Sequence, residues 1–395
     1  MLRKDRNLVE KMFMNGNIKV LCSTSTLAWG VNLPAYAVLI KGTKVYDSSA
    51  GGYKDLGIFD VQQIFGRAGR PQFDKEGEAL ILTPFKEMDN YVKMMQNKQQ
   101  VESHLDKGLD NCINAEIAAG QICTISEGVQ WLKKSFFYRR MVQNPLQYSV
   151  KANELQMDPT GHLILLEKIT ECVKKLNRAR LIRYNQSTEQ VYSTDMGRIA
   201  SNYYINTETM ASFMANLKAH TQENMLLFHL AQATEFKQLE ARKEEYEEMK
   251  QLCAETKYVE VDKQCFNEAH TKVLCLIEAY LKHRTIRTFS LISDMAYVVQ
   301  NAARLLRAMF EIALQRNYSQ LAKSCLAWCQ LIDKRLLPGA HVMRQFTMNC
   351  HVGKLTNPNQ QVTKYGYLKD ETVYRLDQYC RTLDDLYENK LEEAA

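Results

Sequence analysis

"FGRAGRPQFD", Phe65–Asp74, sets two arginines, Arg67 and Arg70, three residues apart in a glycine-rich turn. Guanidinium forks beside small residues suit a planar, highly charged group such as a phosphate. The alternative is a surface turn carrying two solvated arginines, and the flanking chain has to decide. Upstream, "DLGIFDVQQIF" (Asp55–Phe65) reads as a short helix stopped by Gly66, and downstream "GEALILT" (Gly77–Thr83) reads as a buried strand. "IKVLCST" (Ile18–Thr24) reads as another buried strand, and Ala37–Lys41 is an apolar run of strand length after Pro34. Strands and helices alternating with short connections predict a parallel α/β layer around the two arginines.

The chain has 395 residues, a formal net charge of +6, 46% hydrophobic and 24% charged residues, which is enough for several packed domains and unlike a disordered chain. No apolar run is long enough to cross a membrane. Eleven cysteines occur without C-x-x-C pairs, and Arg3, Lys4, Asp5 and Arg6 stand where a signal peptide needs an apolar core. A reducing compartment, nucleus or cytosol, is the expected location. Cys325 and Cys329, with His351 further on, are the nearest approach to a metal signature; buried thiols acting as small hydrophobes account for them, and no metal is assigned.

Beyond about Pro84 the pattern turns helical. A basic amphipathic helix over Leu163–Arg180 carries Lys168, Lys174, Lys175, Arg178 and Arg180 and runs into "LIRYNQSTEQVYST" (Leu181–Thr194), two β-prone runs around a polar turn. Helix plus hairpin predicts a winged helix. Long helices follow from about Asn206 to Pro338, and the charge run "EARKEEYEEMKQ" (Glu240–Gln251) within them reads as a solvated helix face. From Ser293 to Arg316, Tyr297, Asn301, Arg304, Arg307 and Glu311 recur at steps of three or four and form one polar stripe on an otherwise apolar helix. Such a stripe suits a groove carrying a charged polymer, or else a solvated face with an Arg–Glu pair.

"STSTLAWGVNLPA" (Ser23–Ala35) brings hydroxyls, Gly30 for close backbone approach and Asn32 as donor and acceptor, while Gln63, Gly66, Arg67 and Arg70 satisfy Q-x-x-G-R-x-x-R. Together these two segments resemble motifs V and VI of superfamily 2 helicases. The stretch Ser23–Thr83 is similar to the second RecA-like domain of the superkiller-type members. "NAEIAAGQI", "YRRMVQNPLQY", "DMGRIASNYYI" and "TFSLISDMAYVVQNAARLLRAMFEIAL" are similar to that family's winged helix and helical Sec63 domain. The likeness extends along most of the chain and weakens after Leu355.

The resemblance implies a multidomain α/β plus mostly α protein, with a partial RecA-like parallel sheet over residues 1–100, a winged helix over 101–205, a helical ratchet domain over 206–345 and a helix-hairpin-helix remnant and tail over 346–395. It implies that Arg67, Arg70 and Gln63 act on the phosphates of ATP and that Gly30, Asn32 and Gly66 line the nucleotide. It also implies that Ser23, Thr24, Thr26, Asn301, Arg304 and Arg307 face single-stranded DNA or RNA. ATP and magnesium would serve a complete cassette. No G-x-x-x-x-G-K-[ST] loop occurs in the sequence, so the chain reads as a fragment of a 3′-to-5′ helicase, binding no nucleotide stably by itself, with an exposed sheet edge. Expected partners are single-stranded nucleic acid and other subunits of a cointegrator, repair or ribosome-rescue complex, without a membrane. A non-catalytic helical module that binds proteins or single strands is the competing reading.

Overall fold

The computed structural model describes residues 3–24, 33, 35–47, 52–69, 74–96, 101–151, 157–261, 265–340, 343–344 and 375. The chain divides into two compact units, Met1–Val101 and Glu102–Ala395. In the first, α1 (Arg3–Met14) precedes β1 (Ala37–Lys41), β2 (Lys44–Asp47), β3 (Gly52–Asp55), α2 (Ile58–Phe65), β4 (Glu78–Leu82) and α3 (Phe85–Met95). Strands β1 and β4 pair in parallel with Leu39 opposite Leu80 and Lys41 opposite Leu82, as the alternating pattern predicts. Side chains of a strand alternate between faces. Ile40 therefore packs with Leu56, Val61 and Tyr91 in a small core, while Leu39, Leu80 and Leu82 on the other face are each more than half exposed.

One expectation for this unit needs correction. Residues 18–24 belong to no strand, and Val20 is 78% exposed. Strand propensity expresses itself only where a neighbouring strand takes up the backbone hydrogen bonds, and the described ladder there has two strands, β1 and β4. Strands β2 and β3 form a separate antiparallel pair with an edge-to-face contact of Tyr46 and Tyr53.

The second unit begins with α4 (Leu109–Ala118), α5 (Ile125–Lys133), α6 (Phe136–Gln143), α7 (His162–Arg178) and the hairpin β5 (Ile182–Asn185) and β6 (Gln190–Ser193). Thr124 caps α5 reciprocally with Glu127, and Thr124 also bridges to Gln190 of the hairpin. On α7, Leu165, Ile169, Val173 and Leu176 lie on one buried face. Two of the basic residues on its other side are spoken for: Lys168 meets Asp106 at 2.8 Å and Lys175 meets Asp110 at 2.7 Å. Glu102 receives bonds from Arg140 (2.7 and 3.1 Å), Asn144 (2.9 Å) and Tyr148 (2.8 Å). This is the helix-plus-hairpin arrangement expected of a winged helix.

Among the described residues there follow α8 (Asp195–Asn202), α9 (Thr207–Asn216), α10 (Glu223–Ala231), α11 (Tyr246–Glu255), α12 (Ala269–Leu281), α13 (Phe289–Gln315) and α14 (Ser319–Lys334). Gly197 lets α8 sit on the chain entering β5, because a β-carbon there would lie 2.1 Å from the Leu181 carbonyl oxygen. Helix α12 is buried at every position from Thr271 to Ala279, so it is the centre of the unit rather than a surface element. Cys325 and Cys329 point into the same core, where burial pushes their thiols up to about 12 and about 11. One apolar cluster runs from Leu109 to Ile332.

The charge run Glu240–Gln251 has the solvated face that its composition suggests, at Glu240, Lys243, Glu244, Glu247, Lys250 and Gln251, but Glu245 within it is buried. Lys272 on α12, fully buried, donates to Glu245 and to Asp294, each at 2.7 Å. Arg242 adds a second cation at 2.6 Å from Glu245, and the Ser290 hydroxyl also donates to that carboxylate. Glu248 accepts the N–H groups of Arg287 and Thr288 at 2.8 and 2.9 Å, serving the entry to α13. Helical periodicity gives which residues share a face; it does not give what that face meets, and here it meets a buried lysine.

Removing the lysine would take the fully buried cation from two buried carboxylates, leaving them Arg242, at 2.6 Å from Glu245 and 3.6 Å from Asp294. Lys272→Ala is expected to lose about 3–5 kcal/mol of stability in urea unfolding. The Arg140 guanidinium, with Asn144 and Tyr148, lowers the Glu102 carboxyl from 4.5 to about 2. A depressed carboxylate stabilises the fold above its unfolded value and loses that contribution as pH falls toward its folded value. Glu102→Gln is therefore expected to show less decline of thermal stability between pH 4.5 and about 2 than the unaltered protein.

Candidate nucleic-acid interface and phosphate-facing turn

In the first unit, Gln63 and Arg67 are one helical turn apart at the end of α2, both half-buried, and exposed Gly66 caps the helix. The turn is stitched to the segment entering β1. Ala35 N–H donates to the Arg67 carbonyl at 3.0 Å, and Gly69 N–H donates to the Ala35 carbonyl at 2.7 Å. Gly69 has φ +87°, and a β-carbon on Gly77 would lie 2.5 Å from the Gly69 nitrogen. The glycines therefore permit a backbone crossing that fixes where Arg67 leaves the helix. Ser23 and Thr24 are exposed. Arg70, Thr26, Gly30 and Asn32 lie outside the described residues. A guanidinium on a pinned turn suits a phosphate. Among the described residues no group of three or more His, Cys, Asp or Glu side chains could hold a metal ion.

In the second unit, the stripe on the 27-residue α13 is tied to neighbouring elements. Tyr297 donates its hydroxyl proton to the Glu235 carbonyl at 3.1 Å. Arg304 spans the end of α8: Nη1 donates to the carbonyls of Tyr203, at 3.1 Å, and Tyr204, and Nη2 donates to Asn301 Oδ1 at 2.6 Å. Glu311 accepts the Tyr203 hydroxyl, and that hydrogen bond, aided by burial, raises the phenol to about 12. Arg307 is different. Its side chain is 50% exposed and meets Asp333, itself 40% exposed, at 2.6 Å. The stripe is thus a clamp at Asn301 and Arg304, with an accessible cation beside it at Arg307.

The tyrosine pair that the clamp holds was not singled out from the sequence. Its signal was the doublet after a helix stop in "ASNYYI", Ala200–Ile205. Asp333 and Glu235 carried no signal, since their partners are 26 and 62 residues away.

Two domain families match the chain. The Sec63 Brl domain family matches residues 193–368, and a winged helix-turn-helix domain family matches residues 102–167. The chain is homologous to one segment of the superkiller-type helicases of superfamily 2. It is 44% identical over 349 residues to activating signal cointegrator 1 complex subunit 3 of Rattus norvegicus, covering 88% of this chain and 16% of that protein. Against the Gallus gallus protein of the same name it is 41% identical over 375 residues, 94% of this chain and 17% of the relative. Against the DExH-box ATP-dependent RNA helicase DExH14 of Arabidopsis thaliana it is 36% identical over 393 residues, 100% of this chain and 17% of the relative. The chain spans about a sixth of the length of these relatives. Among the described residues no helix is long and apolar enough to cross a membrane.

The clamp gives this helical region a measurable dependence. Arg304→Ala leaves the Tyr203 and Tyr204 carbonyls without their donor, and a loss of about 1–3 kcal/mol is expected in urea unfolding. Arg304→Lys, which cannot span both carbonyls and Asn301 with a fork, is expected to recover only part of it.

Proposed function

We propose that this chain forms part of an ATP-dependent helicase cassette that moves 3′-to-5′ along single-stranded DNA or RNA, with α13 as its strand-facing helix. The observation that carries the reading is the accessible Arg307 beside the clamped Asn301 and Arg304 on one long helix. Among the described residues its competitor is Asp333, in a surface ion pair that contributes little. A phosphate can therefore take its place at small cost. In the second unit the strand side is the α13 stripe, with Arg307 on the strand and Asn301 and Arg304 bracing the surface beside it; for the first unit, taken by itself, the helicase resemblance assigns Ser23, Thr24 and Thr26 to the strand. Residues 1–100, 101–205, 206–345 and 346–395 divide as RecA-like, winged-helix, ratchet and tail regions.

In the complete cassette, ATP with magnesium supplies the phosphoryl transfer whose free energy drives movement. Arg67 and Arg70 hold positive charge toward the phosphates, Gln63 orients beside them, and Gly30, Asn32 and Gly66 allow close backbone approach. The names of the relatives support subunits of a cointegrator-type complex as partners and a nuclear and cytosolic setting. The second unit carries one continuous apolar core of its own. That favours a second use, as a helical module that binds strands without turnover.

The reading is tested by anisotropy of a labelled oligo-dT with the purified chain across a salt series, with ATP turnover recorded in the same samples. Binding without hydrolysis is expected. Arg307→Ala is expected to weaken binding and to flatten the salt slope by about 0.7, the share of one phosphate contact on a single strand. An unchanged slope removes α13 from the interface, and strand-stimulated hydrolysis by this chain alone defeats the division of labour proposed.

A further inference from the structure

Helix α8 ends on a residue in the left-handed region: Tyr204 has φ +51°. The cap around it is closed by Ile205 N–H to the Ala200 carbonyl at 2.9 Å and by Tyr204 N–H to the Ser201 carbonyl at 3.2 Å. This is the position after a helix that glycine fills most easily, because a β-carbon there crowds its own backbone. A tyrosine in such a place usually offsets the strain by packing its ring. Tyr204 does not: it is 82% exposed, whereas its neighbour Tyr203 is half-buried and bonded to Glu311.

The backbone that carries the ring is nevertheless held in a defined place. Arg304 donates to the Tyr203 and Tyr204 carbonyls and is itself braced by Asn301. Arg307 stands three residues further along α13, within electrostatic reach of the neighbouring Tyr203 phenol, with half of its side chain in solvent. An exposed aromatic ring on a braced backbone, one residue from a tyrosine that an accessible guanidinium acts on, suits a single strand, the ring taking the face of a base and the cation the backbone. A strained residue that contributes nothing to the core is also what a binding site retains.

We propose that Tyr204 is the base-stacking residue of the strand-binding face, with Arg304 as the positioning residue that holds it out and Arg307 on the adjoining phosphate. The assignment rests on the single-strand reading above and deepens it. Stacking accepts any base, so the contact grips the strand without reading its sequence.

The test uses the full chain, a labelled oligo-dT of about 20 nucleotides, and the variants Tyr204→Gly and Tyr204→Trp. Tyr204→Gly is expected to weaken binding roughly tenfold, the loss of one stacked base, with the salt slope unchanged and the thermal midpoint not lowered. Tyr204→Trp is expected to keep the affinity and to lose emission on binding, beyond any change of the three native tryptophans measured in the unaltered chain. Equal affinity of Tyr204→Gly and the unaltered chain, or no added quenching of Tyr204→Trp at saturation, overturns the stacking role while leaving strand binding intact. An unaltered chain with no affinity for the oligonucleotide overturns the strand-binding reading and this assignment with it.

Discussion

Lys272 lies in the middle of the second unit with no exposure to solvent, and its ammonium group is shared between Glu245 and Asp294. A cation so placed is tolerable only if its partners stay ionised and in reach. Burial by itself would raise the Glu245 carboxyl, but the bonds from Lys272 and Ser290 hold it below its ordinary value. The cluster therefore joins three stretches that are distant in sequence: the turn before α11, the first turn of α12 and the first turns of α13. Apolar packing can slide by a fraction of a side chain, whereas a buried ion cluster has one good geometry. It fixes the start of α13 relative to α12.

With its first turns held there, α13 runs on for 27 residues and presents Arg304 to the end of α8. The join matters because α8 also sits on the winged helix, where Asn114 donates to the Gly197 carbonyl at 2.9 Å and a β-carbon on Gly197 has no room. Winged helix, α8 and α13 are thus coupled by hydrogen bonds whose donors and acceptors are all named side chains or carbonyls. Relatives that carry this segment within chains about six times longer have helicase or cointegrator-complex names.

Much of the fold was legible because it depends on local rules. The helix stop at Gly66, the apolar runs of β1 and β4, the period of α7 and the hairpin after it follow from periodicity and cap chemistry within a few residues. Residues 18–24 were misread because a strand is a relation between two segments, and propensity describes only one of them. The run Glu240–Gln251 was read correctly as partly solvated but not for its buried Glu245, since nothing near that residue in sequence announces a lysine 27 residues later. The candidate site was legible as residue types, with the arginines and asparagine of α13 in one stripe, but not as a division between a clamp and an accessible, surface-paired cation.

The sequence by itself determined the helices, the parallel pair around the two-arginine turn, and the helicase resemblance, because these reside in periodicity, glycine placement and motif spacing. The tertiary structure alone decided which charges are buried, which arginine is accessible, and that Tyr204 stands out from the surface. Those outcomes depend on contacts between residues as many as 108 positions apart, such as Tyr203 with Glu311. No local pattern encodes the energy of a contact whose other half lies on a distant helix.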